Sequence, residues 1–253
     1  MRVVIADEVE LARRGADAVA RALSDHEYPV LGLATGGSPL PVYDELARRH
    51  VEEGLSFARA RAFLLDEYVG LPAGHPERYR NVIDRELVSR VDLDPTRVQG
   101  PDGLAEDLVA ACATYEEAIL AAGGVDVQIL GIGTDGHIAF NEPGSSFASR
   151  TRVMTLTRQT REDNARYFDG DVDAVPRRCL TQGLGTIMAA RAIVLVARGS
   201  GKAEAVHHLV EGPVSALWPA TILQHHPDVT VLVDEAAASK LQLADYFREV
   251  QDS

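Results

Sequence analysis

The sequence predicts an α/β protein built on a mainly parallel sheet with helices on both faces. Short, continuous apolar runs of strand length alternate along the chain with segments of helical period, which is the signature of βα units. The runs are apolar on both sides of the chain, as strands covered on both faces of a parallel sheet must be. Several runs also end in glycines or acids, and open parallel sheets bind ligands in the crevice outside those carboxyl ends.

Taken in order, residues 1–6 read as an edge-forming strand, and residues 8–23 as a helix with Val9, Ala12, Ala16, Val19, Ala20 and Leu23 on one face. Residues 28–34 are a buried strand that stops at Thr35-Gly36-Gly37-Ser38-Pro39. A helix follows over 40–50, with Ser38 as its N-cap and Pro39 in the first helical position. A strand, a double glycine and a helix N-terminus make an anion site, because free backbone N–H groups and the positive end of the helix dipole both point at the turn. Phosphate is the simplest occupant; the plain alternative is a tight, well-capped βα connection. The Gly-Lys-Ser/Thr ending of a Walker A loop is absent. Residues 60–65 form a third strand, ending in Asp66-Glu67-Tyr68. A helix opens at His75-Pro76-Glu77-Arg78-Tyr79 and is read as scaffold, residues 91–102 as a loop, and residues 103–121 as an alanine-rich helix stopped by Gly123-Gly124.

The next strand, over 125–132, feeds Gly-Ile-Gly-Thr-Asp-Gly-His-Ile-Ala-Phe-Asn-Glu-Pro-Gly at 131–144. Asp135, His137 and Glu142 thus stand as three proton-transferring groups at the end of a rigid element, although Asp-Gly and Glu-Pro-Gly are also ordinary turn chemistry. Gly131, Gly133 and Gly136 satisfy a dinucleotide pattern in form only. Residues 141–144 halt any helix there, and the run 150–156 lacks the closing acid. A zinc motif is not expected, since His137 and Glu142 are five apart with a turn between them. Residues 157–183 are polar, with Arg158, Arg161, Arg166, Arg177 and Arg178, and form a candidate lid; a solvated helical hairpin would look the same. The strand 192–197 ends in Arg198-Gly199-Ser200-Gly201-Lys202. Val196 and Ala203 replace the outer residues of a P-loop, yet Lys202 at a strand end can still reach an anion. A short apolar helix over 218–224, turn histidines His225 and His226, a last strand over 229–233 and a last helix over 235–249 complete the chain.

Composition narrows the classes. A chain of 253 residues can bury a full core, and no apolar run reaches the roughly 20 residues of a membrane span. The apolar run at the N-terminus is too short for a signal peptide, and Cys112 and Cys179 are too few for a disulfide framework, so a cytoplasmic location is expected. A net charge of −13 argues against nucleic acid as a partner. A small anion could still be held by local cations. At the switch point of such a sheet, Thr35 to Ser38, Asp66, the Asp135–Glu142 loop and Lys202 come together as an anion cradle beside acid–base groups, without a nucleophilic Ser or Cys.

Thr-Gly-Gly-Ser-Pro (35–39), Leu-Asp-Glu-Tyr-Val-Gly-Leu-Pro (65–72), the long segment 131–143, Ser-Arg-Thr-Arg (149–152) and Gly-Ser-Gly-Lys (199–202) resemble the glucosamine-6-phosphate deaminases in content, order and spacing. The resemblance covers essentially the whole chain and implies one Rossmann-like α/β sandwich domain over 1–253. It implies conversion of glucosamine 6-phosphate and water into fructose 6-phosphate and ammonia, with no cofactor. Asp66 would move the proton from C2 to C1, and His137 would open the sugar ring, oriented by Asp135 and Glu142. Thr35, Gly36, Gly37, Ser38, Arg166 and Lys202 would hold the phosphate. Leu64 and Arg78 depart from residues common in the family, Asn and Ser respectively. Some members are activated by an acetylated amino-sugar phosphate at a subunit interface. The matching residues are Ser145, Ser146 and Arg152, but Met154 replaces a lysine, which implies an activator-insensitive enzyme; a homo-oligomer is a candidate assembly. A 6-phosphogluconolactonase of the same fold and a non-catalytic sugar-phosphate sensor are the alternative readings. The Asp66 run argues against the first, and the acid–base set around His137 against the second.

Overall fold

The computed structural model describes residues 1–251; the last two positions of the domain expected over 1–253 lie outside the described residues. The strands are β1 (Arg2–Ile5), β2 (Val30–Leu33), β3 (Arg61–Leu64), β4 (Asp66–Tyr68), β5 (Val98–Gln99), β6 (Val127–Leu130), β7 (Arg152–Thr155), β8 (Arg178–Thr181), β9 (Ala192–Ala197) and β10 (Val229–Val233). Among the described residues, seven of them form one sheet in the order β1-β10-β9-β6-β2-β3-β5, and every pairing in it is parallel. The helices packed around it are α1 (Glu8–Asp25), α2 (Leu40–Glu53), α3 (Tyr79–Glu86), α4 (Leu108–Ala121), α5 (Arg158–Asn164), α6 (Leu184–Ile187), α7 (Ala203–Glu211) and α8 (Ala244–Val250). This is the predicted Rossmann-like α/β architecture. No helix among the described residues is long and apolar enough to cross a membrane.

The central strands β2 and β6 are buried at every position, the polar Gln128 of β6 included, and β1 stands at the edge. From β2 the chain moves outward through β3 to β5, then returns to β6 and moves the other way through β9 to β10. The order therefore reverses between β2 and β6, and the crevice at their carboxyl ends is the switch point.

Several boundaries differ from expectation, each for a local reason. In α1 the buried stripe runs through Leu11, Ala12, Ala16 and Val19, while Val9 is 78% exposed. Two residues apart on a helix lie about 160° apart, so Val9 and Leu11 cannot both face the core. Helix α2 is capped at Pro39, whose carbonyl accepts from the Val42 and Tyr43 N–H groups; there is no side-chain cap, so Ser38 is not the N-cap expected of it. The helix expected from His75 begins only at Tyr79 and ends at Glu86, before a 3-10 turn at Val88–Arg90. Residues 98–99, expected as loop, add the short edge strand β5. Helix α4 starts at Leu108, where the Asp107 carboxylate accepts from the Val109 and Ala110 N–H groups, a cap contributing about 1 kcal/mol. The last helix covers only Ala244–Val250. Ahead of it, Asp234 accepts from the N–H of Ala237 at 2.7 Å and of Gly199 at 2.9 Å, tying this corner to the loop that carries Lys202.

A second sheet was not expected. Strands β4, β8 and β7 pair antiparallel in that order, with Asp66 opposite Thr181 and Tyr68 opposite Cys179. The segment 157–183 is therefore not uniform: it holds α5 and a 3-10 turn at Ala165–Tyr167, but also the buried middle strand β8. Tyr68, Leu71, Phe140, Leu156, Ala165, Phe168, Val175 and Cys179 form an apolar cluster separate from the main core. That cluster seats the 157–183 segment on β4.

Candidate active site

A cavity of about 450 Å³ opens at the switch point, and Thr35, Gly36, Gly37, Ser38, Asp66, His137, Arg166 and Lys202 all line it. Asp135 and Glu142 stand directly behind His137. The residues singled out in the sequence are thus brought together, from the ends of β2, β3, β6 and β9 and from the 3-10 turn at Ala165–Tyr167.

The cationic end is built on the β2–α2 turn. Gly36 has φ 95°, a left-handed conformation that glycine adopts without strain, and it turns the chain into the N-terminus of α2. The buried Tyr43 hydroxyl braces this turn, donating to the Ala34 carbonyl at 2.7 Å and accepting from its N–H at 3.1 Å. Lys202 enters from the 3-10 turn after β9, and Arg166 from the 3-10 turn after α5, stacked 4.8 Å over Tyr167. Burial pushes the Lys202 ammonium below its usual range; Asp163 and Asp135 oppose this and Arg166 adds to it. Two cations facing one polar cavity are stabilised by an anion between them.

Asp66 lines the same cavity and is only 6% exposed. Burial, and then the neighbouring Glu67 charge, push its carboxyl well above the usual carboxylate range. Glu67 itself points away from the cavity. Its Oε1 accepts from the N–H groups of Tyr68 at 2.9 Å and Tyr79 at 3.0 Å, and its Oε2 from that of Arg80 at 3.1 Å. It therefore caps α3, and of the two adjacent acids only Asp66 faces the cavity.

His137 is fixed by the loop after β6. The Gly133 N–H donates to the His137 carbonyl at 2.9 Å, and a side chain on Gly133 would lie 2.3 Å from the imidazole, so glycine is needed there. Asp135 Oδ1 accepts from the His137 backbone N–H at 3.2 Å and lies 2.7 Å from its Nδ1; the latter contact is close but bent away from the N–H direction. Glu142 Oε2 is 3.9 Å from the same nitrogen. Both acids lie on the Nδ1 side, so Nε2 is the atom presented to the cavity. Burial disfavours the Asp135 charge, but its contacts with His137 outweigh this and hold the carboxyl below its usual range. One donor atom each from Asp135, His137 and Glu142 lies within 4.8 Å of the others, a spacing a cation could span. However, Glu142 already accepts from the Thr157 N–H at 3.0 Å and Asp135 from the His137 N–H.

Other cavity residues escaped the sequence reading. Glu77, Tyr79, Arg85 and Glu86 reach it from the segment read as scaffold, and Asp163, Asn164, Tyr167 and Arg198 also line it. Asn164 donates to the Tyr68 hydroxyl at 3.0 Å, and Thr134 to Asp163 at 3.0 Å, so α5 is hydrogen-bonded both to β4 and to the loop after β6. Ala139, also in the wall, has φ 49°, a strained conformation for a residue with a side chain. Arg198 had a signal in the sequence, since it precedes the Gly-Ser-Gly-Lys loop; the residues of α3 and α5 had none.

Fold and cavity together define a class: a doubly wound α/β protein with a glycine turn, two cations, an aspartate and a histidine lining one cavity at the switch point. Residues 6–232 match the model of the family described as Glucosamine-6-phosphate isomerases/6-phosphogluconolactonase, and the chain belongs to that family. It is 70% identical to the glucosamine-6-phosphate deaminase of Beutenbergia cavernae and 66% identical to that of Mycolicibacterium smegmatis. Each match spans 247 residues, 98% of this chain and 95% of the relative. Among solved structures it is similar to a monomeric glucosamine-6-phosphate deaminase, with TM-score 0.92 and 44% identity over 95% of this chain and 100% of the other. The 6-phosphogluconolactonase of Trypanosoma brucei has TM-score 0.72 and 23% identity over 95% of this chain and 98% of the other, a likeness of fold alone.

Proposed function

We propose that this chain converts glucosamine 6-phosphate and water into fructose 6-phosphate and ammonia by acid–base catalysis, within one domain whose lid is drawn from 157–183. The observation that carries the reading is the pairing, in one cavity, of a buried and isolated acid, Asp66, with an imidazole backed by two acids, opposite a cationic glycine turn. The phosphate sits against Thr35, Gly36, Gly37, Ser38, Arg166 and Lys202. His137 moves a proton between the ring and anomeric oxygens to open the sugar, with Asp135 and Glu142 fixing its orientation. In the open form the aldehyde acidifies the neighbouring amine-bearing carbon, so a positioned base suffices and no electron sink is needed. Asp66 takes the C2 proton and returns it to C1; the C1 aldehyde becomes an alcohol and the C2 amine an imine. Water adds to that imine and ammonia leaves.

Asp66 acts only when ionised. Since burial and Glu67 raise its pKa, the acid limb of the rate profile lies above the ordinary carboxylate range, and activity is lost as pH falls through it. The lid reading is supported by its tethers: Glu142 holds Thr157, the N-cap of α5, while Asn164 and Asp163 anchor the other end of that helix. We place the enzyme in the cytoplasm, with a small sugar phosphate as its partner. The deciding measurement is ammonia release from glucosamine 6-phosphate beside an Asp66→Asn variant. Wild-type release abolished by the substitution is expected; no release by the wild type, or equal release by both, overturns the assignment.

A further inference from the structure

The loop that carries Asp135, His137 and Glu142 is fastened by residues 216–220, none of which lines the cavity. The Ala220 N–H donates to the Gly136 carbonyl at 2.9 Å, and the Gly144 N–H to the Ala216 carbonyl at 2.7 Å, so the loop is tied down at both ends. Between these two bonds the Trp218 ring lies against Gly136. A side chain there would meet ring atom Cε3 at 2.7 Å, and φ at Gly136 is 80°, so the contact and the backbone conformation both call for glycine. The turn that carries Trp218 is itself rigid. The buried Thr221 hydroxyl closes it, accepting from the Ser215 N–H at 2.8 Å and donating to the Trp218 carbonyl at 2.7 Å. The indole is fixed in turn by His208 of α7, which stacks on it with ring centres 3.9 Å apart and planes inclined by 19°. Glu204 Oε1, 3.2 Å from His208 Nε2, orients that imidazole.

We propose that Trp218 is a positioning residue for opening of the sugar ring: its indole fixes the Gly136 peptide and so sets the placement of Asp135 and His137 on either side of it. The inference rests on the reading of His137 as the ring-opening group. Asp135 and His137 are joined by a 2.7 Å contact to Nδ1 and a 3.2 Å bond to the backbone N–H, and both distances depend on the course of the chain through Gly136. Without the indole that glycine loses its packing partner, and glycine has more conformations open to it than any other residue. Asp66 and the turn at 35–38 belong to other elements, so substrate binding and removal of the C2 proton are left in place.

The test is steady-state ammonia release by wild type, Trp218→Ala, Trp218→Phe and His208→Ala, from glucosamine 6-phosphate carrying hydrogen or deuterium at C2. In Trp218→Ala kcat is expected to fall by about tenfold or more with KM within about twofold of wild type, as a misplaced reacting group requires. The isotope effect on kcat shrinks toward one, because ring opening and not C–H cleavage then limits the rate. Loss of folded enzyme would lower kcat too, but it leaves the isotope effect unchanged, since that ratio does not depend on how much enzyme is active. Trp218→Phe keeps a flat ring against Gly136 and recovers kcat to within about threefold of wild type, and His208→Ala falls between. A folded Trp218→Ala with kcat within about threefold of wild type, a lowered kcat with an unchanged isotope effect, or no recovery with phenylalanine overturns the proposal. Should Trp218→Ala not fold, His208→Ala takes its place and must lower kcat and the isotope effect together. An inactive wild type or an active Asp66→Asn refutes the functional reading instead, whereas an active wild type with an unaffected Trp218→Ala refutes only the positioning role.

Discussion

Gly133→Ala tests the geometry around His137 without removing any catalytic atom. The backbone at Gly133 is not in the left-handed region, so alanine fits it, and the whole cost falls on what the methyl group meets. That is the imidazole: Cε1 and Nδ1 at 2.3 Å and Nε2 at 2.6 Å, where ordinary contact begins at 3.4 Å. The ring has to retreat by about 1 Å, and a misplacement of this size at a reacting group costs on the order of 10²-fold. Retreat is blocked on the Nδ1 side by Asp135 at 2.7 Å and Glu142 at 3.9 Å, so the imidazole loses its alignment with them. In steady-state ammonia release kcat is expected to fall by about 10²-fold. KM changes little, because the cationic end is untouched. Overpacking costs about 1–3 kcal/mol, so the variant folds with a Tm lower by several degrees. A folded variant with kcat within about threefold of wild type would show that His137 orientation does not govern the rate and would refute the reasoning.

Two further outcomes are expected. Asp66→Asn abolishes turnover yet stabilises the protein at neutral pH. An acid whose folded pKa is raised favours the native state fully below its unfolded value and loses that contribution as pH rises through the folded pKa. Melting curves should therefore show the Asp66→Asn variant above wild type at pH 7.5, by about 2–4 °C per kcal/mol recovered, with the gap closing below about pH 4; an unchanged or lower Tm at pH 7.5 would contradict the burial argument. Substrate saturation is expected to be hyperbolic and insensitive to N-acetylglucosamine 6-phosphate. Arg152 is already committed to Asn141 at 2.8 Å and Ser145 at 3.1 Å, and Met154 brings no cation. A sigmoidal curve relieved by that compound is the contrary result.

What the sequence made legible follows from where the apolar signal is concentrated. Strands β2, β3, β6, β9 and β10 are dominated by apolar residues, interrupted by Arg61, Gln128 and Thr230, and the residues at their carboxyl ends were readable because parallel topology puts those ends on one side. Strand β4 was not readable. Asp-Glu-Tyr looks like an exposed turn and becomes a buried strand only because the α3 N-terminus satisfies Glu67 and β8 pairs with it. Strand β8 is hidden likewise: Arg-Cys-Leu-Thr sits in a polar stretch, and its burial comes from Tyr68, Phe140 and Phe168, distant in sequence. Tyr79 and Asn164 reach the cavity through the same small sheet and its aromatic cluster, a tertiary event that no local pattern announces.

The small antiparallel sheet couples the two tasks proposed for the cavity. The residues proposed to hold the phosphate at 35–38 and 202 hang from loops of the large sheet, as does His137, while Asp66 lies on the small sheet and Arg166 on the segment that leads into it. Both proposed tasks thus draw on both layers, which are joined at Leu65, whose carbonyl accepts from the Gln182 N–H at 2.7 Å, and at Leu64, whose carbonyl accepts from the Gln182 side-chain amide at 3.0 Å. A displacement of the small sheet would therefore disturb the proposed phosphate contacts and the proposed proton transfers together.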